Sequence, residues 1–187
     1  GRSDAKTSLD YTFYSVIVPV EETASGIRIL AEMAFRSKFD PAELKREGEV
    51  IVEEGNIEQD TPRTALIRGL YGLVFRDHPY GRSILGSPAT LGAATRETVF
   101  SYYKHHYVPE AMALVVVGPA SPQSVTATVQ EVFGRIPAAG YRRAPVPPPA
   151  PLAGGIRRQV ERPEQQAFLG MAWPAPRADN PDGFAVD

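Results

Sequence analysis

Residues 40–60 read DPAELKREGEVIVEEGNIEQD, and the reading of this stretch decides the fold. Asp40 can cap a helix, Pro41 occupies the first turn, where its missing N–H costs nothing, and Glu43 completes a capping box. At about 100° per residue, Leu44, Val50, Ile51 and Ile57 share one arc of that helix. Glu47, Glu54 and Glu58 fall inside the arc, while Lys45, Glu49 and Glu53 face away from it. Glu47 and Glu54 are two turns apart, roughly 10 Å along the axis, and project in nearly the same direction. An acid among aliphatic side chains is costly unless it is neutralised, paired or bound to a metal. On spacing alone the ordinary reading is that these glutamates lie at a rim or pair with arginines from a neighbouring helix.

Upstream, IRILAEMAFRSKF (27–39) places Ile27, Leu30, Ala31, Ala34 and Phe35 at steps of three and four, the spacing of a helix face. Before it, YTFYSVIVPV (11–20) is aromatic and β-branched and predicts a strand entering a core, ended by Pro19. Downstream, Thr61-Pro62 opens a third helix through Leu66, Leu70, Leu73 and Val74, which HPYG breaks at Pro79 and Gly81. Ser87-Pro88 and Thr95 start two short helices, the second carrying Val99, Tyr102, Tyr103 and Tyr107. ALVVVG (113–118) is an uninterrupted apolar run bounded by glycine and predicts a central strand. Ser121 and Pro122 cap a helix with Val125, Val129, Val132 and Phe133 on one face. Six prolines between 137 and 151 predict a stiff linker, and IRRQVERPEQQAFLGMAW (156–173) predicts two strands around a turn at Arg162-Pro163.

The whole chain has 187 residues, 43% apolar and 22% charged, with no cysteine. At this length about 70% of the unfolded surface can be buried, so a sizeable core needs no staple. Lacking cysteine, the chain has no disulfide framework, thiolate zinc site or cysteine nucleophile. A net charge of -2, with Lys and Arg dispersed, gives no field for neutralising phosphates, so nucleic acid is not the expected partner. No apolar run approaches the roughly 20 residues that span a bilayer. The start, GRSDAKTSLDYTFY, lacks the basic and apolar regions of a signal peptide and an initiator methionine. A piece of a longer protein is expected. Arg supplies 16 of the 20 basic residues, which points to a GC-rich bacterial genome; periplasm and cytoplasm both stay open.

Four segments occur in a fixed order: TSLDYTFY, ELKREGEVIVEEGNIEQDTP, FRDHPYGRSILGSPATL and YYKHHYVPEAMALVVVG. Together they resemble the zinc peptidase family of pitrilysin, insulinase and the mitochondrial processing peptidase, over roughly residues 4 to 137. The resemblance implies an α+β fold, an antiparallel sheet covered by helices that forms one lobe of a clamshell metallopeptidase, plus the first strands of a second lobe. The implied division is 1–137 for most of the peptidase lobe, 138–152 for the linker and 153–187 for the start of a second α+β domain.

In that family one helix supplies two histidine ligands and a general-base glutamate from H-x-x-E-H, and a second supplies a further ligand from a pattern like E-R-x-V-I-x-x-E. Laid on Glu47 to Glu54, the pattern makes Glu54 a zinc ligand and Glu47 an outer-shell carboxylate that orients the array. The family's arginine is Gly48 here. The only histidines are His78, His105 and His106, none of them in H-x-x-E-H, and neighbours at 105 and 106 point to different sides of a helix. All three read as turn, surface or packing residues. The catalytic base is therefore expected upstream of Gly1, with no catalytic residue within this chain. The parent would be a zinc metalloendopeptidase that the isolated chain does not reproduce, since one carboxylate cannot hold zinc alone. DAKTSLDYT resembles the family's edge strand, with Asp4, Ala5, Thr7 and Ser8 as substrate-binding positions and Asp4 where the family has Asn. The implied partners are a peptide substrate and a second lobe or partner subunit of the same family. A non-catalytic scaffold subunit of a heterodimer and a peptide-binding module are the alternatives.

Overall fold

The computed structural model describes residues 1–177 and 180–181. They form two compact units, the first from Gly1–Gly48 and Ala89–Pro145, the second from Glu49–Pro88 and the residues from Val146 onward.

In the first unit, β1 (Arg2–Thr7) runs antiparallel to β2 (Thr12–Ile17), in register from Arg2 opposite Ile17 to Thr7 opposite Thr12. The Ser8 N–H donates to the Tyr11 carbonyl at 2.8 Å and closes the hairpin. After Pro19 a 3-10 turn leads into α1 (Thr23–Phe35), which packs on β2. Gly26 makes that approach possible, because a Cβ there would lie 3.2 Å from Val18 Cγ2. The other helices of this unit are α4 (Pro88–Gly92), which starts at the boundary residue, α5 (Arg96–His106) and α6 (Pro122–Phe133). Thr95 begins α5 with a reciprocal capping box made with Thr98, and the Ser121 hydroxyl caps α6 by accepting the Ser124 N–H. Arg96 donates to the Phe39 and Lys38 carbonyls, which ties α5 to the chain leaving α1.

The buried core consists of Ile27, Ala31 and Ala34 of α1 with Tyr103 and Val108. It is much smaller than the length permits. Phe13 and Ile17 of β2 are 55% and 67% exposed, so the strand does not enter a core as its composition predicts. The 113–118 run, predicted as a central strand, joins no ladder; Val115 and Val117 are 78% and 92% exposed, Leu114 and Val116 half as much. That alternation has the period of a strand whose neighbour is absent among the described residues.

α2 (Pro41–Asp60) contains the boundary between the units, and α3 (Pro62–Phe75) lies wholly in the second. The start of α2 forms as predicted, Asp40 Oδ1 accepting the N–H groups of Ala42 and Glu43. Glu43 does not complete the box and pairs with Arg46 instead. α3 begins at Thr61-Pro62, but Thr61 donates its hydroxyl back to the Ile57 carbonyl and caps nothing. Residues 156–173, predicted as two strands, contain no helix or strand, and Gly170 lies against Leu66 and Leu70 of α3.

Candidate functional site

α2 turns a different face inward from the one its aliphatic residues suggest. The half-covered positions are Leu44, Gly48, Ile51, Val52, Gly55 and Glu58. Val50 and Ile57 are each 58% exposed, and Glu47 and Glu54 are exposed with them. Positions 47, 50, 54 and 57 form one stripe about 80° wide, so two acids and two large aliphatic residues share an uncovered strip. The half-covered arc is thus rotated from the one read in sequence toward Gly48 and Gly55, where a Cβ would meet nothing within 4 Å.

The three carboxylates of the arc read from sequence part company here. Glu58, in the second unit, pairs with Arg68 of α3, whose guanidinium also donates to the Ser83 hydroxyl. Glu58 therefore serves the fold, as the ordinary reading of a charged helix predicts. Glu47 and Glu54 make no ion pair or hydrogen bond among the described residues. Nearby, Arg162 donates to the Gln59 carbonyl at the C-terminal end of α2 and to Glu164 at 2.9 Å.

Zinc in a catalytic site needs three protein ligands. Among the described residues no group of three or more His, Cys, Asp or Glu side chains could hold a metal ion. The donors present do not by themselves fit zinc.

The histidines take structural positions. His78 Nδ1 accepts the Tyr80 N–H at 3.1 Å and its ring packs on Phe75 and Tyr80. His105 and His106, about 100° apart around α5, have ring centroids 4.7 Å apart at nearly right angles, and both rings meet Tyr141. Tyr102 stacks on His106 and is 62% exposed, whereas Tyr103 is buried, so only part of the predicted tyrosine face is core.

Of the positions matched to the substrate edge, Asp4, Ala5 and Thr7 lie in β1 and are exposed, and Ser8 is half-buried in the hairpin turn. The Asp4 carboxylate accepts the neighbouring Ala5 N–H at 3.0 Å. With β2 on one side, β1 keeps one edge without a strand neighbour among the described residues. Two contacts lay outside the sequence reading because their partners are far apart in the chain. Tyr14 and Tyr107 share a hydroxyl–hydroxyl hydrogen bond of 2.9 Å, and burial followed by that bond pushes the Tyr107 phenol up to about 12. Glu110 accepts the Gly140 N–H at 2.7 Å. No helix among the described residues is long and apolar enough to cross a membrane.

Comparison with known proteins bears on the same elements. Residues 1–88 match the family model described as Insulinase (Peptidase family M16), and residues 93–187 match the one described as Peptidase M16 inactive domain. The protein named uncharacterized zinc protease YmxG, from Bacillus subtilis, is 32% identical over 75% of this chain and 34% of its own length. A Mycobacterium leprae protein, also named an uncharacterized zinc protease, is 28% identical over 78% of this chain and 33% of its own length. The chain therefore spans about a third of the length of these relatives. Among solved structures, the first half of the periplasmic protease PqqL from Escherichia coli superposes with a TM-score of 0.67. It is 21% identical and matches 79% of this chain and 32% of its own, a likeness of fold alone.

Proposed function

The chain belongs to the insulinase family of M16 peptidases, and from that membership we propose that it is part of a zinc-dependent metalloendopeptidase, itself inactive in isolation. The observation that carries the reading is the stripe on α2. Glu47 and Glu54 stand exposed and unpartnered at the positions where the family pattern has its outer carboxylate and its metal ligand, while Glu58 of the same helix is paired away. A helix that keeps two acids beside exposed Val50 and Ile57 presents a surface that remains to be covered.

In this reading Glu54 contributes one carboxylate to zinc and Glu47 orients that array, the remaining ligands and the general base coming from polypeptide outside this chain. A zinc ion held there would supply Lewis acidity for hydrolysing a peptide bond. β1 offers its free edge, with Asp4, Ala5, Thr7 and Ser8, to an extended peptide by strand addition. Residues 1–137 form most of the peptidase lobe, 138–152 the linker and 153–187 the start of a second domain. A second lobe or partner subunit of the same family encloses the substrate. Two relatives named zinc proteases support the metal. A bacterial parent, periplasmic or cytoplasmic, completes the proposal.

The test uses the full-length parent. Glu54→Gln is expected to abolish zinc retention after dialysis, and Glu47→Gln to weaken it about 10- to 100-fold. Equal effects would overturn the division of roles between them, and no effect from either would overturn the site.

A further inference from the structure

The start of the proline-rich segment is held by side chains from two directions. Glu110 lies in the 3-10 turn Pro109–Ala111 that follows α5, and its Oε1 accepts the Gly140 N–H at 2.7 Å. Its carboxyl is held below the usual carboxylate range by its own backbone N–H and then by those of Gly140, Ala139 and Tyr141. The Gly140 N–H is the amide of this stretch that donates directly to the carboxylate, a charge-assisted bond between residues thirty apart in the chain. Gly140 has φ +67°, which glycine takes at no steric cost. A Cβ at Gly140 would meet nothing within 4 Å, so the backbone conformation alone calls for glycine.

From the other side, His106 Nδ1 lies 3.2 Å from the Tyr141 hydroxyl, and the rings of His105 and His106 stand edge-on to the Tyr141 ring at 5.6 and 5.7 Å. Both histidines and Lys104 belong to the last turn of α5. Tyr141 is half-buried, and the chain beyond it, from Arg142 to Pro151, is exposed and free of helix or strand. Five prolines in that stretch favour an extended, stiff course of about 3.1 Å per residue.

We propose that Glu110 and His106 form a latch on residues 139–141, fixing the point and direction in which the proline-rich segment leaves the first unit, and that this latch opens locally while the helices stay folded. It stands on the contacts of this chain and does not depend on the metal site.

The test is limited trypsin digestion of the whole chain. Arg142 and Arg143 lie next to the latch, and a protease must draw residues 140 and 141 into its cleft to cut after them. Arg158, exposed and in the second unit, serves as the internal reference. When opening and closing are fast relative to cleavage, the rate follows the open population. Glu110→Ala removes the anion, and Gly140→Ala disfavours the backbone that surrounds it. Each is expected to speed cleavage after Arg142 and Arg143 about three- to tenfold, as for loss of a charge-assisted hydrogen bond at an exposed position. Tyr141→Phe should have a smaller effect and add to that of Glu110→Ala, with cleavage after Arg158 and the helical circular dichroism unchanged in all. Unaltered cleavage in Glu110→Ala and Gly140→Ala would overturn the latch. So would a parallel rise after Arg158, which would mean general loosening. In the unaltered chain, hydrogen exchange should show a slowed Gly140 amide beside fast ones beyond 141; exchange at Gly140 as fast as beyond 141 would overturn the proposal without any variant.

Discussion

Glu58→Gln is expected to destabilise the chain while Glu47→Gln and Glu54→Gln leave it nearly unchanged, and the contrast separates a carboxylate that serves the fold from two that do not. Glu58 and Arg68 are paired with 26% and 31% of their side chains exposed. A fully exposed pair contributes ~0–1 kcal/mol, whereas removing one partner from a fully buried pair costs ~3–5 kcal/mol. This pair lies between the limits, and Arg68 keeps its hydrogen bond to the Ser83 hydroxyl when the carboxylate is lost. A cost of ~1–2 kcal/mol follows. Glu47 and Glu54 have no ion-pair or hydrogen-bond partner to lose among the described residues, so each substitution should fall within ~0.5 kcal/mol of the parent chain. Urea unfolding followed at 222 nm measures all three, comparing midpoints at constant slope. If Glu54→Gln costs as much as Glu58→Gln, the stripe is part of the packing and the reasoning fails. It fails equally if Glu58→Gln is silent.

Two further outcomes follow from local geometry. Tyr107, pushed up to about 12 by burial and by Tyr14, ionises above the value near 10 of an unfolded tyrosine. The stability it contributes is therefore complete below about pH 10 and lost as pH rises toward 12. Phenolate absorbance at 295 nm should show a late-titrating component that Tyr14→Phe brings down, and a titration with no such component, or one that Tyr14→Phe leaves in place, would refute this. On α2, a Cβ at Gly48 or Gly55 meets nothing within 4 Å. Gly48→Ala and Gly55→Ala should each raise stability by ~0.5–1 kcal/mol through helix propensity, and a loss from either would show that something covers that face in solution.

What the sequence made legible is local chemistry. The helix at 41–60 was readable from Asp40 and Pro41, and the helices at 96–106 and 122–133 from Thr95 and Ser121, because a cap and its N–H groups lie within three residues of one another. Glu43 was misread for a related reason. A capping box and an i,i+3 ion pair draw on the same side chain, and Arg46 stands close enough to win it. The segment at 113–118 shows the opposite limit. Its apolar, β-branched composition favours strand, but a ladder requires a neighbour, and exposure that alternates between Leu114 and Val116 on one side and Val115 and Val117 on the other shows a strand-ready backbone with no strand beside it among the described residues.

The carboxylates on α2 show why the candidate site was only partly legible. Periodicity placed Glu47, Glu54 and Glu58 on one arc, and it did so correctly to within a turn of the helix. It could not say which edge of that arc faces the protein, because Val50 and Ile57 argue for one edge while Gly48 and Gly55, silent in any count of apolar residues, open the other. The decision rests with Arg68, ten residues beyond Glu58 and on another helix. Arg68 pairs with Glu58, while Glu54, one turn earlier on α2, stays exposed and without a partner among the described residues. A pairing between two helices, invisible to periodicity, thus sets Glu58 apart from Glu47 and Glu54, and the metal role proposed for Glu54 is tested cleanly only once Glu58→Gln has measured what that pairing contributes to stability.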